Sequence, residues 1–179
     1  MKTYIILLRG INVSGQKKVP MAELRTLLSS LGFKKVTTYI QSGNIVLQSG
    51  ESKGSIIKEI IEKGILNHFD FEVSTMVLLF EDLKNSFDNC PFSQDKKEKS
   101  YFTLLHTVPK KELVHAVSSV IYPNEEFIVN HTCVYFYSEN GYGRAKCNNN
   151  FFERKLKTTA TTRNYKTMLK LLSLSSELN

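Results

Sequence analysis

The chain has 179 residues, 41% of them hydrophobic, with 9 Gly and 4 Pro, which excludes disorder and collagen and suits a soluble globular protein. That length makes one domain or two small ones and lets a folded chain bury roughly 70% of its unfolded surface, so a core forms without staples. Of 24 Lys+Arg against 17 Asp+Glu, eight basic residues and only Glu153 fall between Arg144 and Lys170, so this stretch carries the whole excess of +7. A field so concentrated steers phosphates, nucleic acid or acidic partners toward it, where an ordinary solvated helix face would do nothing.

In chain order, Tyr4 to Leu8 reads as a buried strand ending at Arg9-Gly10. Pro20 suits the first turn of a helix along which Met21, Leu24, Leu27, Leu28 and Leu31 recur at helical spacing, and Gly32 follows as its stop. Val36–Ile40 and Ile45–Gln48 flank Gln41-Ser42-Gly43-Asn44, which predicts a hairpin. Ile56, Ile57, Ile60 and Ile61 share a helical face with Ser52 or Ser55 as N-cap, and Val73–Leu79 supplies another strand. This β-α-β-β-α-β order is that of a ferredoxin-like unit.

The polar stretch Ser93–Lys99 reads as a boundary, giving units at 1–92 and 93–179. Beyond it, Tyr101–His106 is a strand, and Pro109 opens a helix with Leu113, Ala116, Val117 and Val120. Glu126–Val129 and Thr132–Tyr137 form a hairpin about Asn130-His131. A helix near Asn150–Lys157 and another from Arg163 to Leu174, with Met168, Leu171 and Leu172 inward, close the chain. The expected fold is α+β: two tandem ferredoxin-like units, antiparallel sheets with helices on one face, plus a C-terminal helical segment.

Three segments carry candidate chemistry. Arg9 to Lys18 is a basic loop between strand and helix; Gly10 and Gly15 have P-loop spacing, but Gln16 and Lys17 stand where Lys and Ser/Thr are required. What remains is backbone NH around two glycines beside Arg9, Lys17 and Lys18, able to bind an anion. In the second, Tyr39 to Asn44, Gly43 and Asn44 serve the turn, while Tyr39, Gln41 and Ser42 line a ligand site if the turn lies beside the first loop. The third runs from Gly141 through Asn150 to Thr167 and places Arg144, Lys146 and Arg163 near two helix N-termini, one led by asparagines and one by threonines. Asn and Thr are also simply the preferred helix caps.

Other chemistry finds little support. Cys90, Cys133 and Cys147 are odd in number and widely spaced, and the four His make no metal-ligand pattern, so neither a disulfide framework, a metal site nor a cofactor is expected. No G-x-S-x-G nucleophile turn occurs, and no catalytic group is assigned. Tyr135 and Tyr137 share a strand face, as in a base-stacking platform, but without the RRM spacing such stripes are mostly packing. The Tyr4–Leu8 run is too short for a signal peptide or a membrane span, so a cytoplasmic protein with reduced thiols and no membrane partner is expected.

Leu-Leu-Arg9-Gly-Ile-Asn12-Val-Ser-Gly15 with Lys18-Val-Pro20-Met-Ala-Glu-Leu, Tyr39-Ile-Gln-Ser42-Gly43-Asn44, Gly143-Arg144-Ala-Lys146 with Phe152-Glu-Arg-Lys-Leu156, and Ala160-Thr-Thr-Arg163-Asn164 together resemble the domain-of-unknown-function family numbered 1697 over nearly the whole chain. Cys147 and Tyr165 stand where that family more usually has Leu and Trp. The resemblance implies a bacterial-type cytosolic α+β protein with ferredoxin-like units, and no particular activity, substrate or cofactor.

The residues therefore predict an anionic ligand, nucleic acid or a phosphorylated small molecule, at a basic cleft between the two units. Arg9, Lys18, Arg144, Lys146 and Arg163 supply charge, and Asn12, Tyr39, Ser42, Asn44 and Asn164 directional hydrogen bonds. Alternatives are an enzyme acting on a phosphate-bearing metabolite and an interaction module for an acidic partner.

Overall fold

The computed structural model describes residues 1–13 and 15–178; Ser14, within the predicted basic loop, lies outside the described residues. It is an α+β fold of two tandem ferredoxin-like units with a C-terminal helix. In the first, β1 (Lys2–Leu8), α1 (Met21–Ser30), β2 (Lys34–Tyr39), β3 (Asn44–Ser49), α2 (Gly54–Phe69) and β4 (Thr75–Leu78) follow the predicted order, and α3 (Phe80–Asp88) comes next. The sheet runs β2-β3-β1-β4, antiparallel throughout. Alternation along β1 sends Tyr4, Ile6 and Leu8 to one face, where they bury against Leu24 and Leu28 of α1 and Ile57, Ile61 and Ile65 of α2. Each such fully buried aliphatic side chain contributes about 1.5–3 kcal/mol.

The second unit repeats this topology. It contains α4 (Gln94–Lys97), β5 (Tyr101–Leu105), α5 (Lys111–Ser118), β6 (Glu125–Asn130), β7 (Cys133–Ser138), α6 (Asn149–Leu156) and β8 (Ala160–Asn164), and α7 (Tyr165–Ser176) leaves it. Its sheet order is β6-β7-β5-β8. Val134, Phe136 and Leu105 face the helices and pack with Phe151, Phe152 and Leu156 of α6. The compact units comprise Met1–Lys84 joined by the described residues from Leu169 on, and Asn85–Met168. The returning segment is tied to the first sheet, where Thr3 Oγ1 and Gln48 Nε2 donate to the Leu178 carbonyl at 3.3 and 2.8 Å.

Three local expectations are corrected. Residues 160–164, expected as a threonine-led helix start and the first turn of a helix from Arg163, form the edge strand β8, and the helix begins at Tyr165. The β-branched Thr161 and Thr162 lie opposite Leu104 and Thr103, and the Thr103 and Thr162 hydroxyls are 2.9 Å apart. At α2 the N-cap is Lys53 rather than Ser52 or Ser55, and Glu51 Oε1 accepts from the Lys53 NH at 2.8 Å. Finally, residues 80–88, given no element by the sequence reading, form α3, whose Leu83 and Phe87 are buried one helical turn apart.

Candidate anion-binding surfaces

In the first unit β1 ends where the β2–β3 turn lies, since Leu7 is opposite Asn44. The Leu8 NH donates to the Gly43 carbonyl at 2.8 Å, and a Cβ on Gly43 (φ +73°) would stand 2.6 Å from Leu8 Cβ. Only glycine fits that approach. Asn12, itself at φ +55°, fastens the long loop: its Nδ2 donates to the carbonyls of Val19 (2.9 Å) and Gln41 (2.8 Å), and its Oδ1 accepts from the Val19 NH (2.8 Å). The first and second sequence segments therefore meet.

Their amides, however, are spent on the protein itself. Asn44 is fully buried and donates to the Tyr39 carbonyl at 3.1 Å and to Ser42 Oγ at 2.9 Å. Tyr39 is half-buried at the end of β2. Charge is what faces outward. Lys18 is exposed and makes no hydrogen bond or ion pair with the described residues. Exposed Lys17 commits its ammonium to the Glu72 carbonyl at 2.6 Å, leaving further donors on that nitrogen. Arg9 is half-buried just past β1, with its NH on the Ser74 carbonyl at 2.9 Å. A groove of about 610 Å³ also borders α2, but Glu59, Glu62 and Glu72 outnumber Lys63 along it, which disfavours an anion there.

The second unit disposes of its cations differently. Here Tyr101, the first residue of β5, lies opposite Phe136 near the end of β7 and Asn164 at the end of β8, so the loop after β7 and the end of β8 share one end of the sheet. Arg144, in a 3₁₀ turn, is exposed and makes no polar contact with the described residues. Lys146 lays its ammonium 5.2 Å from the Tyr122 ring centroid. The backbone donors of this loop are occupied: the NH groups of Lys146 and Cys147 donate to the two oxygens of Glu125 at 2.8 and 2.9 Å. The Glu125 carboxylate thus holds the backbone beside Lys146, whose own side chain stays exposed.

Arg163 is 8% exposed and donates from Nη1 to Thr161 Oγ1 and the Thr162 carbonyl, both at 2.8 Å. Burial lowers its pKa to about 10, partly offset by the Tyr142 phenol, so it stays cationic at neutral pH. Asn164 is the cap of α7, its Oδ1 accepting from the Thr167 NH at 2.9 Å. Glu125, the residue that reorganises this loop, carries no sequence signal, because it lies two strands' length away in a hairpin. Tyr135, of the aromatic stripe, is core: it packs edge-on to Phe102 with ring centroids 5.8 Å apart and donates to the Ser86 carbonyl at 2.9 Å. Burial, then Glu125, pushes the Cys147 thiol up to about 12, and burial raises Cys90 and Cys133, so all three are thiols at neutral pH. Among the described residues no group of three His, Cys, Asp or Glu could hold a metal ion, and no helix is long and apolar enough to cross a membrane.

A family model described as protein of unknown function (DUF1697) matches residues 1–135, which include the loop and turn just described. The chain belongs to that family. Among solved structures it is similar to that of the conserved bacterial protein SP0830 from Streptococcus pneumoniae, at 31% identity and a TM-score of 0.76 over 98% of this chain and 99% of that one. No curated protein matches. The matched residues hold the first two of the four motifs, and the motifs from Gly143 and from Ala160 lie beyond them.

Proposed function

We propose that this is a cytoplasmic nucleic-acid-binding protein that grips phosphates by charge, with Arg9, Lys17 and Lys18 of the first loop as its principal contact and Arg144 and Lys146 as a second cationic contact. One observation carries the choice among anionic ligands. Of the five groups that would have recognised a small phosphorylated molecule directionally, Asn12, Ser42, Asn44 and Asn164 hold the protein's own chain, which leaves only Tyr39 not so committed. Lys18 and Arg144 face solvent. Exposed cations without shaped donors suit a polymer of phosphates, where affinity comes from counterion release. A small phosphorylated ligand needs several fixed hydrogen bonds instead.

The test is fluorescence anisotropy with a short labelled duplex over a series of salt concentrations. Affinity should fall steeply with salt, and Lys18→Glu and Arg144→Glu should each flatten the log–log slope by about one without changing the melting temperature. Absence of binding by the wild type at low salt, alongside thermal stabilisation by a phosphorylated metabolite, would overturn the reading.

A further inference from the structure

The turn after β2 holds an unexplained conformation. Ile40 has φ +50°, in the left-handed region where a β-branched side chain is disfavoured and where Gly or Asn sits comfortably. Burial does not repay that cost, for Ile40 is 51% exposed. On the long loop, Val13 is 59% exposed. The loop and the turn are joined next to both residues, since the side-chain amide of Asn12, which precedes Val13, donates to the carbonyl of Gln41, the residue after Ile40. Two exposed aliphatic side chains thus belong to a loop and turn joined by Asn12, and the same loop carries Arg9, Lys17 and Lys18.

Strain kept at an exposed position points to a contact made outside the protein. The cations select an anionic partner surface, and the aliphatic side chains select one that can be entered. We infer that Ile40, with Val13 of the joined loop, is a wedge that enters a base step of duplex DNA from the minor groove while the cations of that loop hold the flanking phosphates. This rests on the nucleic-acid reading above and adds what kind of nucleic acid is bound and how. Aliphatic wedges partly unstack a step and kink the duplex, whereas single strands are held on exposed aromatic platforms. The aromatic of this turn, Tyr39, is half-buried, and no other aromatic is placed in either segment.

Ile40→Gly removes the wedge and the strain together, so loss of function is separable from loss of fold. The experiment uses the full chain and a duplex with a central TA step, labelled at both ends for energy transfer. Wild type should kink it. Ile40→Gly should melt at an equal or higher temperature and keep the wild-type salt slope, yet lose the kink and about tenfold in affinity. Ile40→Met, which keeps an insertable side chain without the β-branch, should retain the kink. Salt-dependent binding by wild type without a kink, or an undiminished kink in Ile40→Gly, overturns the wedge and leaves phosphate binding standing. No salt-dependent binding at all overturns both. Ile40-dependent sedimentation with phosphatidylserine vesicles, in place of DNA bending, also overturns the wedge and assigns Ile40 to a lipid surface.

Discussion

Between β1 and α1 the first unit has twelve residues, and between β5 and α5 the second has five, although the two sheets have the same strand order. The longer loop is fastened by one asparagine and keeps its lysines on the outside. In the second unit the notable cations lie at the other end of the sheet, past β7 and β8, where Glu125 occupies two backbone NH groups and Arg163 is folded into the strand. Similar stretches of positive charge in a sequence therefore have different availability. What decides it is burial of the side chain, since backbone donors hold internal acceptors in both loops, whereas Arg163 is 8% exposed and Lys18 and Arg144 face solvent.

The comparison can be broken most severely at Gly43. Alanine there must accept φ +73° and a Cβ 2.6 Å from Leu8, so urea unfolding should show a loss of about 3 kcal/mol; a near-neutral result would mean the turn and loop are not locked together. A smaller effect tests the other end. Glu125→Ala strands the Lys146 and Cys147 NH groups and should cost about 2 kcal/mol, partly restored by sulfate in the variant but not in wild type. Equal sulfate effects in both proteins would show that the carboxylate is not standing in for an anion.

The smallest effect is alkaline. An unfolded Cys147 releases its proton above its ordinary value of 9.0, whereas the folded thiol keeps it to about 12. The unfolded state therefore binds fewer protons across that window, and stability falls as pH rises through it. Urea midpoints should decline less steeply above about pH 9 in Cys147→Ala than in wild type, and parallel declines would place the cause elsewhere.

Most of the architecture was readable because its signals are periodic. The Leu24 and Leu28 stripe, the isoleucines of α2 and the alternation in β1 each name their element and their buried face. Residues 158–163 misled because threonine is both an N-cap and a strand former, and only pairing with β5 chooses between them. The site was legible as a list of cations and glycines, and the meeting of loop and turn could be stated only as a condition. Glu125 and the backbone angle of Ile40 were invisible, since one depends on a hairpin bringing a carboxylate to a distant loop and the other leaves no compositional trace.

The bonds from Thr3 and Gln48 to the Leu178 carbonyl have a consequence for how the molecule is made. During synthesis the first strand leaves the ribosome long before the segment from Leu169 that completes its unit, and the whole of Asn85–Met168 must be translated in between. A nascent first unit waits without these side-chain bonds from its two central strands, so its last contacts close only after the second unit has had time to fold.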